Sequence, residues 1–123
     1  MMKFYQSPSD GAICAVRENE AAGFSDMTEI IPNTVDAARE KHVPVISRDG
    51  QTVTVTVGSE MHPMSAAHYI TWIMLETKNS EERISLMPDD EPVAQFYAAE
   101  DDEIIAAYAY CNQHGLWQAS PEQ

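Results

Sequence analysis

The most constraining stretch of the chain is Gln51 to Val57, where threonine and valine alternate strictly (QTVTVTV) directly after Asp49-Gly50. An alternation of period two puts every valine on one face and every threonine on the other, which is the pattern of a strand with one buried side. Asp-Gly accommodates the positive φ of a tight turn, so Val43 to Arg48 and Gln51 to Val57 are expected to pair as a β-hairpin. Further strands are expected over 68–77, 83–87, 93–98 and 104–110, where β-branched and aromatic residues gather. Asn79-Ser80, Pro88 to Asp90 and Glu100 to Glu103 break them apart. Short strands at this spacing, with almost no long helical period, predict a mainly β fold, an antiparallel sandwich or barrel rather than an α/β one.

The first thirty-odd residues are less regular, with Pro8, Gly11, Gly23 and Pro32 interrupting short apolar pieces. They read as a small appendage, 1–32, ahead of a main domain, 33–123. At its start Asn33 or Thr34 is expected to cap a short helical turn through Val35, Ala37 and Ala38, ended by His42 and Pro44.

A chain of 123 residues with 44% apolar content can build one core of its own. Its net charge of −13 sets it against phosphate backbones and anionic lipid, so neither nucleic acid nor a membrane surface is an expected partner. The longest apolar run, Ile104 to Cys111, is eight residues, far short of the roughly 20 that span a bilayer. Met1 to Asp10 has no apolar signal core, and a reducing, cytoplasmic setting is expected. Cys14 and Cys111 supply neither a disulfide framework nor a four-cysteine knuckle, and leave a single bridge between them open.

The four histidines, His42, His62, His68 and His114, all stand beside strand ends or turn signals. Cys111 and His114 offer a thiolate and an imidazole from one tight loop, with Gly115 to relieve the backbone. His62 and His68 cannot converge on a helix, where six residues turn through about 600°. Along a strand they would lie about 20 Å apart, so the segment must reverse, helped by Pro63. Each residue alone reads more readily as a hydrogen-bonded structural histidine or a buried cysteine than as a ligand. As a set, five nitrogen and sulfur donors exceed the four that close a structural zinc site. Iron suits the same donors and keeps a further position open for a small ligand. A zinc-binding or electron-transfer module without catalysis remains the alternative.

Three stretches carry a resemblance: Pro32 to Ile46 (PNTVDAAREKHVPVI), His62 to Ile73 (HPMSAAHYITWI) and Ala107 to Trp117 (AYAYCNQHGLW). In this order they resemble the superoxide reductases, the desulfoferrodoxin and neelaredoxin family, over about residues 32–117. The resemblance implies an immunoglobulin-like β-sandwich holding one mononuclear iron ion. It implies that His42, His62, His68 and His114 are the four imidazole ligands, with Cys111 the axial thiolate opposite the open position. It further implies one-electron reduction of superoxide to hydrogen peroxide, fed by a small electron donor such as rubredoxin, in a homodimer or homotetramer. Glu40 and Lys41 fall on the family's Glu-Lys-His motif. Lys41 is thereby expected to hold positive charge beside the open position, and Glu40 to be a sixth ligand in the oxidised state only; a solvated lysine and a surface carboxylate are the plainer alternatives. A dismutase that also releases oxygen is a further alternative.

Longer family members begin with a desulforedoxin-like domain in which four cysteines hold a second iron. Lys3 to Ile13 resembles its first knuckle with Ser7 and Asp10 at the thiol positions, and no cysteine pair follows around 21–25. The segment is therefore expected to be degenerate and iron-free, and to pack on the main domain or a partner subunit. Cys14 is assigned no role.

Overall fold

The computed structural model describes residues 1–24 and 26–121; Ser25 and the last two residues of the expected main domain lie outside them. The hairpin forms from β4 (Pro44–Asp49) and β5 (Thr52–Val57), with Asp49 opposite Thr52 and Gly50 at φ 61°. Its valines Val53, Val55 and Val57 are fully buried. With β8 (Val93–Tyr97) the hairpin makes a three-stranded sheet, β4-β5-β8.

A four-stranded sheet, β10-β9-β6-β7, faces it, built from β6 (Ile70–Thr77), β7 (Glu81–Ser85), β9 (Ile104–Cys111) and β10 (Gly115–Ala119). Every strand pairing is antiparallel. Val53, Val55, Ile73, Leu75, Phe96 and Ala107 are among the side chains that fill the space between the two sheets. An extra residue, Thr71, is inserted in β6 against β9 between the Ile70–Cys111 and Trp72–Tyr110 pairs. The bulge lets Ile70 and Ile73, three apart, share one core, where an unbroken strand would send them to opposite faces.

The N-terminal residues are more ordered than their sequence indicates. They form β1 (Met2–Gln6), β2 (Ile13–Arg17), a short 3-10 helix (Glu18–Phe24) and β3 (Thr28–Ile30), in a sheet of order β2-β1-β3. This sheet covers the outer face of β10-β9-β6-β7 through a second core of Met2, Phe4, Trp72, Met74, Tyr108 and Leu116. Strand β6 is thus buried on both faces, and its run of Trp72, Ile73, Met74 and Leu75 reflects two cores rather than one. Arg17 bridges to Glu81, and Arg83 lies over the Trp72 ring, 5.0 Å from its centroid, while donating to the Ile13 carbonyl. The turn between β1 and β2 closes through hydrogen bonds: Ser7 N–H donates to Ala12 O at 2.9 Å, Gly11 N–H to Ser7 O at 3.1 Å, and Ala12 N–H to Asp10 Oδ1 at 3.0 Å.

The expected helical turn is displaced. Helix α1 spans Arg39–His42, is entered from Ala38 without a side-chain cap, and includes His42 rather than ending before it. Asn33 instead adopts φ 63° and clamps β10, its amide exchanging two hydrogen bonds with the backbone of Gln118. Thr34 donates back to the Ile31 carbonyl. Local polar chemistry here serves a long-range contact that propensity does not encode. Strand β10 was likewise not expected, since Gly115 to Ala119 is short and lacks β-branched residues.

Candidate metal centre

Three elements bring four side chains to one point at the end of the sandwich. His42 comes from α1, His62 and His68 from the loop between β5 and β6, and Cys111 from the end of β9. One donor atom from each of these four lies within 4.8 Å of all the others. The loop reverses as its spacing requires: Ser65 and His68 exchange backbone hydrogen bonds at 3.0 and 3.2 Å, bringing the His62 and His68 rings to 4.6 Å between centroids. His114 sits beside this group in the β9–β10 turn, where Gly115 takes φ 78°. Its Nδ1 is 3.9 Å from Cys111 Sγ, and its ring stands 5.0 Å from His42 and 5.1 Å from His68.

The hydrogen bonds select which ring nitrogen is left for a ligand. His42 Nδ1 lies 2.6 Å from the Ala38 carbonyl and His62 Nδ1 2.6 Å from the Pro63 carbonyl. A carbonyl only accepts, so Nδ1 carries the proton in both rings and Nε2 keeps its lone pair. His42 Nε2, His62 Nε2 and His68 Nε2 are all buried with no hydrogen-bond partner. Three orphaned ring nitrogens converging beside a buried thiol are costly unless something satisfies them. A metal ion fits, and three imidazoles with one thiolate suit iron and zinc alike.

Burial lowers the pKa of His62 to about 4, helped by His42, His68 and His114 and opposed by the Pro63 carbonyl. Burial also lowers His42 and His68, with His114 adding to both. The rings are therefore neutral near pH 7, the form that ligates. Burial raises the Cys111 thiol, while the Gln113 and His114 backbone N–H groups stabilise its thiolate; His114 N is 3.4 Å from Sγ. A bound cation reverses the burial effect and deprotonates the thiol. Cys14 is an exposed free cysteine and Cys111 a buried one, so the open possibility of a bridge between them is not realised.

Lys41 and Glu40 lie on α1 immediately before His42. Glu40 is exposed and its charge reaches His42. The Lys41 ammonium stands 3.8 Å from Glu60 Oε1.

Two groups of residues around the site carry no sequence expectation. Trp117, 1% exposed, packs its ring against His42 and donates its indole N–H to the His114 carbonyl at 3.0 Å. Asn112 ties the turn to the histidine loop: its Nδ2 donates to Ala67 O at 3.0 Å and its Oδ1 accepts from Tyr69 N–H at 3.0 Å. Gln113 Nε2 also donates to Ala67 O, at 2.7 Å. The one sequence signal for these roles was two amides standing between Cys111 and His114.

Residues 34–120 match the family profile described as Desulfoferrodoxin. The chain is 45% identical over 97 residues to a desulfoferrodoxin of Clostridium acetobutylicum, covering 79% of this chain and 75% of the relative. The solved superoxide reductase of Treponema pallidum is similar over 98% of this chain and 99% of its own, with a TM-score of 0.80 and 34% identity. A superoxide reductase from Giardia intestinalis matches 68% of this chain and 99% of its own, with a TM-score of 0.58 and 36% identity. No helix among the described residues is long and apolar enough to cross a membrane.

Proposed function

The chain belongs to the desulfoferrodoxin family, and on that premise we propose that it is a superoxide reductase, reducing superoxide to hydrogen peroxide at one iron ion. The observation that carries this reading is the set of three buried, unpartnered Nε2 atoms meeting the Cys111 thiol. His42, His62, His68, Cys111 and His114 are the ligands we assign, with Glu40 as a sixth in the oxidised state only. Iron, when bound, supplies the single electron and the position at which the anion is held. Superoxide, one electron and two protons balance as hydrogen peroxide.

The chain's own residues do the rest. The Ala38 and Pro63 carbonyls hold His42 and His62 in the tautomer that presents Nε2. The backbone N–H of His114 draws on the Cys111 sulfur and moderates how strongly it donates. Lys41 supplies positive charge to attract the anion on a protein of net charge −13 and orders a proton-donating water. Around this site we read 33–123 as the iron-binding domain and 1–32 as an iron-free layer. A small redox protein such as rubredoxin is the donor we assign, with a cytoplasmic setting and a homodimeric or homotetrameric assembly.

The test is peroxide formed per superoxide consumed, with iron-loaded protein kept reduced by an excess chemical donor and oxygen followed in the same cell. A ratio near one with no enzyme-dependent oxygen supports the reductase. A ratio near one half with oxygen evolved makes it a dismutase, and no acceleration over buffer leaves a non-catalytic metal site.

A further inference from the structure

The turn after β5 presses on α1 at its most constrained point. Glu60 N–H donates to the Glu40 carbonyl at 2.8 Å, and Ser59 Oγ donates to the same oxygen at 3.2 Å. Gly58 N–H donates to the Glu60 carbonyl at 3.2 Å, closing the turn on itself. A Cβ on Gly58 would stand 2.7 Å from Glu40 O and 3.0 Å from both the Lys41 carbonyl carbon and Val43 O. All three are backbone atoms, so glycine is what lets the turn reach α1 at all. The Glu60 backbone is thereby anchored to the residue before Lys41, and its side chain meets the Lys41 ammonium at 3.8 Å.

We infer that Glu60 is a positioning residue for Lys41, biasing where its ammonium stands and limiting the positive charge that the site presents to an incoming anion. The inference rests on the reading of the site as one that takes up superoxide. Lys41 is 45% and Glu60 67% exposed, so the pair is weak and salt-sensitive. The contact therefore biases the position of the ammonium without locking it, and the carboxylate offsets its charge. Removing the carboxylate leaves the ammonium free and the local charge more positive, which speeds encounter with an anion.

The experiment has two arms. In zinc-loaded, diamagnetic protein, the two ε-methylene protons of Lys41 are followed by NMR, and their separation is expected to shrink in Glu60→Gln and to recover in Glu60→Asp. In iron-loaded protein, the second-order rate of superoxide consumption is measured from low to physiological salt for wild type, Glu60→Gln, Lys41→Met and the double variant. Glu60→Gln is expected to be about 2- to 5-fold faster at low salt, the full reach of an exposed ion pair, and the gain is expected to shrink with salt and in the Lys41→Met background. An unchanged Lys41 spectrum in Glu60→Gln overturns the tether. A rate gain that persists undiminished in Lys41→Met, or no gain, overturns the functional role. If no form consumes superoxide, including wild type, the proposed function fails, and the spectrum alone decides whether Glu60 holds Lys41.

Discussion

His42 and Trp117 pack ring against ring in a tilted arrangement, with centroids 5.0 Å apart and planes inclined by 30°. The same indole donates to the carbonyl of His114. One fully buried side chain on β10 therefore braces two of the proposed ligands, which come from opposite ends of the main domain's sequence.

Trp117→Phe keeps an aromatic surface against His42 and loses the hydrogen bond to His114. Supporting groups of this kind commonly govern metal affinity by roughly 10- to 100-fold. The variant is expected to fold and to lose iron to a competing chelator at a correspondingly lower chelator concentration. Affinity equal to wild type would show that the brace has no hold on the site.

A metal ion held by donors that converge only in the folded state would stabilise the fold by mass action. Ferrous iron or zinc at about a hundredfold over Kd is expected to raise the Tm by on the order of 10 °C, and a chelator to reverse the rise. Cys111→Ser is expected to abolish the visible absorption that thiolate-bound ferric iron gives the wild type on oxidation. The zinc form is colourless in either case.

Without metal, the protein is expected to lose stability as pH falls. The folded state holds His62 near pKa 4 and lowers His42 and His68, whereas the unfolded chain titrates near 6.5. Between those values the unfolded state binds more protons, so stability is complete above about pH 6.5 and declines towards pH 4. Denaturant midpoints of the metal-free protein measured from pH 7.5 to 4.5 check the sign; a midpoint that rises on acidification contradicts the burial of these rings as neutral bases.

Phe4 is 1% exposed and packs between Trp72 and Tyr108, with centroids at 6.0 and 4.7 Å. Phe4→Ala is expected to cost about 3–5 kcal/mol in chemical denaturation. A cost below about 1 kcal/mol would mean that the N-terminal sheet contributes little to the fold.

The hairpin was legible because β5 alternates with a period of two and its turn is Asp49-Gly50. The reversal between His62 and His68 was legible for a similar reason, since chain geometry left no other way to bring both rings together. Less visible was the N-terminal layer. Its strands are short, and the reason for Phe4 being buried lies on β6 and β9, some seventy and a hundred residues away in sequence. Trp72 and Met74 read as ordinary strand residues until a second layer is there to receive them. The helical turn was expected too early because Asn33 looks like a cap, whereas its amide is committed to Gln118 across the fold.

By itself, the sequence determined a mainly β architecture, the nitrogen and sulfur side chains proposed as donors, and the family. These follow from local periodicity, residue chemistry and motif, all of which survive without coordinates. Only the tertiary structure decided which imidazole nitrogens are free, that Trp117 and Asn112 brace the site, and that Glu60 meets Lys41. Each of those depends on hydrogen bonds and contacts between segments far apart in the chain, and such pairings carry no local period for a sequence to display.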